Sequence, residues 1–128
     1  MCDDTARAAT ELPRTLQAPG LARAFLGDYL CRTHALAIYD EAALLTTEAV
    51  TNAVKYGGPP ILLVVECDGG GIEVRVADGN PDVPVRTDAD ELATHGRGVA
   101  MIDMVSDSWG VSAHPDDGKD VWFRLRTP

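Results

Sequence analysis

The sequence predicts an α+β fold, a two-layer α/β sandwich with helices on one face of a mostly antiparallel sheet. Two observations carry this. Apolar residues recur at helical spacing in two segments of the first half, and two pairs of short apolar runs, each pair split by turn residues, fill much of the second. Helices and antiparallel strands in that order pack as one layer on another. A length of 128 residues, 45% of them hydrophobic and without internal repeats, suits a single domain over residues 1–128.

The elements follow in order. A short segment around Ala8 to Arg14 reads as a first strand. Pro19 then opens a helix whose apolar positions are Leu21, Phe25, Leu26, Tyr29 and Leu30. Asp40 is the expected N-cap of a second helix, with Glu41 in its first turn. Leu44, Leu45, Ala49, Val50, Ala53 and Val54 continue its apolar face until Gly57-Gly58-Pro59-Pro60 ends it. Ile61 to Cys67 is a nearly continuous apolar run, and Ile72, Val74 and Val76 alternate with Glu73, Arg75 and Ala77 across the turn Asp68-Gly-Gly-Gly71. These are two strands of a hairpin. From Gly79 to Gly96 the chain carries two prolines, many acids and little periodicity, which is long for an idle loop in so small a domain and reads as a lid. Val99, Met101, Ile102 and Val105 suggest a short third helix entered through Gly96-Arg97-Gly98. Trp109-Val111-Ala113 and Val121-Phe123-Leu125 form a second hairpin across Pro115-Asp-Asp-Gly118.

A net charge of −9 argues against a nucleic-acid partner, because binding a phosphate backbone requires clustered Lys and Arg that this chain lacks. An anionic ligand would need local neutralisation, for example by a metal. Cys2, Cys31 and Cys67 are odd in number and widely spaced, so neither a disulfide framework nor a zinc site is indicated. Free thiols fit a reducing cytoplasm. Met1 to Thr10 has no apolar h-region and no stretch approaches a membrane span, so a soluble, cytoplasmic protein without a membrane partner is expected.

The chemistry centres on Glu48-Ala-Val-Thr-Asn52, which stacks a carboxylate and a carboxamide on one helix face within an apolar pattern. Such groups need partners, and a metal, a water or a phosphorylated ligand would supply them. Asn52 can hold Mg²⁺ through its amide oxygen while Glu48 orients or deprotonates an attacking hydroxyl or water. A lone helical glutamate, by contrast, is most often merely solvated. Asp78 sits where an apolar strand ends, so its carboxylate can accept from an amino group such as the exocyclic amine of adenine. Asp78-Gly79 is equally a common turn. Gly96-Arg97-Gly98 leads into a helix, so its N–H groups and the positive helix end can receive phosphate oxygens. Arg97 can meet a phosphate or pair with Asp88, Asp90 or Glu91, and the residues alone leave Thr94 and His95 undecided. His34 and His114 read as ordinary surface or packing residues. Trp109 and Trp122, on an alternating strand pattern, read as core.

Taken in order, an acid and an amide on a helix, an Asp after a strand, a long lid and glycines opening a helix resemble the GHKL ATP-binding superfamily. Within it, Leu44 to Gly57, Val74 to Pro84, Gly96 to Gly110 and Gly118 to Leu125 resemble the anti-sigma-factor serine kinases and their stand-alone actinobacterial relatives. The resemblance implies the Bergerat type of sandwich, with a mixed, mostly antiparallel sheet. It implies Mg²⁺ and ATP as cofactors, Glu48 as catalytic base, Asn52 as the Mg²⁺ ligand and Asp78 as the adenine acceptor. Gly96, Arg97 and Gly98 would hold phosphates. Lys55, Gly79, Thr94, His95 and Val99 complete the implied nucleotide-binding set. The implied activity is serine/threonine phosphorylation of an anti-sigma-factor antagonist protein, with a sigma factor as second partner and a homodimer as assembly. The superfamily often shows Asp-x-Gly-x-Gly where this chain has Asp78-Gly-Asn-Pro-Asp82. An alternative is a noncatalytic module that binds ATP and controls a partner by binding alone. A sensor histidine kinase fragment would need a phosphoacceptor histidine on an upstream helical hairpin, and His34 lies too close to the catalytic region to serve.

Overall fold

The computed structural model describes residues 6–30, 32–80, 102, 105–114 and 118–126. Five strands form one sheet: β1 (Ala6–Leu12), β2 (Ile61–Asp68), β3 (Gly71–Asp78), β4 (Ser108–His114) and β5 (Gly118–Arg126). Their order is β1-β2-β3-β5-β4, and every pairing among the described residues is antiparallel, where a mixed sheet had been implied. Two helices, α1 (Ala18–Tyr29) and α2 (Arg32–Tyr56), pack against each other and on one face of the sheet. The expected α+β sandwich is what the chain adopts.

Alternation sets the inner face. Ile61, Leu63, Val65 and Cys67 of β2, Ile72, Val74 and Val76 of β3, and Phe123 and Leu125 of β5 are all buried there. Phe123 and Val74 are paired directly across the β3–β5 ladder. The outer face is built from charged and aromatic side chains, with Arg75 donating to Asp120 at 2.6 Å and Arg124 to Asp68 at 3.1 Å. Trp122 belongs to this outer face rather than to the core: it is half-buried, lies against Gly110, and receives the Arg75 guanidinium 6.0 Å from its ring centroid. Trp109 is half-buried against the core.

The helices bury different stripes from those the large apolar residues suggest. In α1 the inward line is Ala18, Ala22 and Leu26, and Leu30 just beyond it is also buried, whereas Leu21 and Tyr29 are exposed and Tyr29 stacks on Phe25 at 4.5 Å. Alanine at these positions lets the helix axis approach its neighbour closely. The second helix starts at Arg32, eight residues before the expected N-cap, and Asp40 is an exposed mid-helix residue. His34, Ile38, Ala42, Leu45, Ala49 and Ala53 form a buried line at spacings of three and four that runs through Asp40-Glu41 without a breaker, while Leu44 is exposed. β1 ends at Leu12, because Pro13 has no N–H to extend the ladder.

His34 is buried and meets the Cys67 thiol, with Nδ1 and Sγ 2.7 Å apart. Burial lowers its pKa, against a smaller opposing pull from the Asp68 carboxylate. Asp68 is itself held below the ordinary carboxylate range, first by the Gly70 N–H and further by Arg124. The Gly79–Gly96 lid lies outside the described residues apart from Gly79 and Asn80. Of the third helix only Ile102 and Val105 are described, both helical, with Ile102 buried and its carbonyl accepting the Ser106 N–H at 2.9 Å.

Candidate functional site

Asp78 is the last residue of β3 and follows Ile72, Val74 and Val76 on the inward stripe, so the strand's own alternation turns its carboxylate to the helix side. It is buried, and three donors converge on one of its oxygens. Oδ1 accepts from the Asn80 N–H at 2.8 Å, the Gly58 N–H at 3.4 Å and the Lys119 ammonium at 3.2 Å. Lys119 stands directly opposite Asp78 in the β3–β5 register and is also buried. Its Nζ donates again to the Asn80 carbonyl at 3.0 Å. Among the described residues, Oδ2 accepts no hydrogen bond.

The end of α2 closes over this carboxylate. Asn80 donates from its side-chain amide to the Tyr56 carbonyl at 3.0 Å, and the Gly79 N–H donates to the Gly58 carbonyl at 2.7 Å. Gly57 is the point of closest approach: a Cβ there would stand 2.6 Å from Asp78 Cγ and 2.8 Å from Oδ2. Only glycine lets the end of the helix pack this closely against the carboxylate. On the other side Gly118, with φ of +100°, carries β5 past the Asp78 carbonyl, which any side chain would strike.

Glu48 and Asn52 lie one turn apart on α2, both half-buried, and neither makes a hydrogen bond or ion pair among the described residues. Asn52 is one turn before Tyr56, so the helix segment that meets Asn80 also carries the amide. Lys55 is exposed on the final turn, and Gly79 is exposed beside Asp78. Thr94, His95, Gly96, Arg97, Gly98 and Val99, together with Asp88, Asp90 and Glu91, lie outside the described residues. The structure therefore joins the strand-end aspartate to the C-terminal part of α2.

Two contributors went unread in the sequence, Lys119 and Asn80. A signal for Lys119 exists: extending the inward alternation of Leu125, Phe123 and Val121 by two residues lands on a lysine, and a cation on a core stripe needs a counter-charge. What the sequence does not supply is the partner, because β3 and β5 are not consecutive strands.

A sequence model of the histidine kinase-like ATPase domain matches residues 10–125. The chain belongs to the histidine kinase-like ATPase domain family. Membership in this family makes the chain an ATP-binding domain of the GHKL type. A comparison with curated proteins returns no match.

The residues present fit the nucleotide and metal that the family implies. Asp78 Oδ2 is an acceptor that no donor among the described residues takes up, as an exocyclic amine requires. Mg²⁺ commonly takes one or two protein oxygens plus substrate phosphates, and the half-buried Asn52 amide can provide one. No group of three or more His, Cys, Asp or Glu able to hold a metal occurs among the described residues, so a protein-only metal cage is not formed by them. No helix among them is long and apolar enough to cross a membrane.

Proposed function

We propose that this domain is a Mg²⁺-ATP-dependent serine/threonine protein kinase that phosphorylates a small anti-sigma-factor antagonist and otherwise binds a sigma factor. The observation that carries the nucleotide part is the Asp78 carboxylate, whose Oδ1 takes three donors while Oδ2 accepts none among the described residues. The kinase part rests on Glu48 and Asn52, two half-buried polar side chains on α2, and on the resemblance to the anti-sigma-factor serine kinases. Bound Mg²⁺ would supply charge neutralisation at the nucleotide phosphates. Asp78 accepts from the base amine and fixes the nucleotide's orientation. Asn52 offers its amide oxygen toward the phosphate end. Glu48 takes the proton of the attacking hydroxyl as its oxygen bonds to the γ-phosphorus and the bond from that phosphorus to the β–γ bridging oxygen breaks.

Replacing Asn52 by Ala should abolish Mg²⁺-dependent nucleotide binding without lowering thermal stability, and unchanged affinity would remove Asn52 from the site. Replacing Glu48 by Ala should spare ATP binding but cut phosphoryl transfer to the antagonist by about 10²-fold or more. Full transfer in that variant would show that Glu48 is not the base.

A second reading, a noncatalytic regulator whose partner affinity changes with ATP, draws support from Asn80. This residue stands where the superfamily often has glycine, and here its backbone is bonded to both Asp78 and Lys119. ATP-sensitive complex formation with no phosphoprotein in a mixture of kinase, antagonist and ATP would select it.

A further inference from the structure

Asp78 is not an isolated acceptor. It is half of an ion pair with Lys119 in which both side chains are less than a tenth exposed. A lysine on the inward stripe of a central strand carries a desolvation cost, and a hydrophobic residue would fill the position without one. Its placement has a geometric consequence. Two of its three N–H groups go to Asp78 Oδ1 and to the Asn80 carbonyl, and the Asn80 N–H returns to the same Oδ1. This closed ring of contacts fixes which carboxylate oxygen is consumed. It also fixes the plane of the carboxylate and leaves Oδ2 as the Asp78 oxygen that no donor among the described residues occupies.

We propose that Lys119 is a specificity-determining, positioning residue of the nucleotide pocket: by clamping Oδ1 of Asp78 against Asn80 it presents a single acceptor oxygen, selecting a purine with an amino group at position 6 over one with a carbonyl there. This rests on the reading of Asp78 as the base acceptor. An ionised carboxylate only accepts, so a 6-amino purine satisfies Oδ2 while a 6-oxo purine sets two acceptors against each other. The ammonium matters because it balances the buried negative charge without touching that oxygen. Without it the carboxylate loses its anchor, can rotate, and draws water or other donors to either oxygen. The discrimination between the two bases then weakens even where the pocket keeps its shape.

The test compares calorimetric affinities for ATP and inosine triphosphate, which differ at position 6, in the wild-type chain and in Lys119→Met and Lys119→Arg, each checked by thermal melting. The wild type should favour ATP by at least about 10²-fold, a modest demand beside the roughly 10⁴–10⁵-fold that sites built to hydrogen-bond a substrate group reach. In Lys119→Met the ATP affinity should drop by at least ~10-fold while inosine triphosphate changes little, which collapses the ratio. Lys119→Arg keeps the cation and should retain most of the preference, a rescue that a purely structural role does not predict. A folded Lys119→Met with the wild-type ratio would overturn the inference and leave the ATP-binding reading standing. If Lys119→Met does not fold, loss of the ratio in a folded Lys119→Arg would overturn it equally. A wild-type chain that binds neither nucleotide would overturn both.

Discussion

Replacing Asp78 by Ala takes away the counter-charge of Lys119 and the shared acceptor of three donors. Because the two side chains are 5% and 7% exposed, solvent screens the pair weakly and no large discount applies. Removing one partner of a buried ion pair typically costs about 3–5 kcal/mol, since the other charge stays behind uncompensated. Here the Asn80 carbonyl still accepts from Lys119, which favours the lower end, while the Asn80 N–H loses a 2.8 Å bond, which adds back about 1 kcal/mol. A net loss of about 3–4 kcal/mol is a large share of the roughly 5–15 kcal/mol that a domain possesses. In a chain of 128 residues it corresponds to a fall in Tm on the order of 10–20 °C. Urea denaturation followed by circular dichroism reads the loss directly. The double variant Asp78→Ala with Lys119→Met should be less destabilised than the sum of the two single changes, because no charge is then orphaned. Asp78→Ala within about 0.5 kcal/mol of wild type, the ordinary range for surface changes, would refute the buried-pair reasoning. Strict additivity in the double variant would do the same.

Other consequences are open to measurement. Gly57→Ala sets a Cβ 2.6 Å from both the Ala53 carbonyl oxygen and Asp78 Cγ, so it should destabilise by about 1–3 kcal/mol and weaken ATP binding at least several-fold; full affinity would show that the carboxylate does not need that space. Phe123→Ala empties a fully buried site on the inner sheet face and should cost about 3–5 kcal/mol in a denaturant titration without changing base selectivity. Burial holds the folded-state pKa of His34 below 6.5, so the unfolded chain takes up this proton first as pH falls. The corresponding stability is present above about pH 6.5 and is lost as pH drops below it toward the folded-state value. Urea midpoints measured between pH 8 and 5 should therefore decline, and His34→Asn should flatten that part of the slope; an unchanged slope would remove His34 as its source.

Much of this architecture is written locally. The strands of β2 and β3 and the turn between them follow from alternation around Asp68-Gly-Gly-Gly71, and the end of α2 follows from Gly57-Gly58-Pro59-Pro60. The inward aim of Asp78 follows from the same alternation. Other features depend on tertiary context. The start of α2 is hidden because Asp40-Glu41 looks like a helix beginning, yet the buried line His34, Ile38 and Ala42 shows the helix already under way. Large apolar residues mislead in α1 and α2, where small alanines face the partner layer and Leu21, Tyr29 and Leu44 remain exposed. The two buried polar pairs, Asp78 with Lys119 and His34 with Cys67, join residues 41 and 33 positions apart, and no local pattern names such partners. Trp122 fits an alternating strand equally well on either face, and register alone puts it outside beside Arg75.

The most direct measurement is a calorimetric titration of the purified chain with ATP, with and without Mg²⁺, run beside Asp78→Asn. Saturable, Mg²⁺-dependent binding in the micromolar range is expected for the wild type. Asp78→Asn, which leaves an acceptor for Lys119 but puts an NH₂ donor in place of the Oδ2 acceptor, should lose most of that affinity. Absence of binding in the wild type, or undiminished affinity in Asp78→Asn, would contradict a nucleotide pocket built on Asp78.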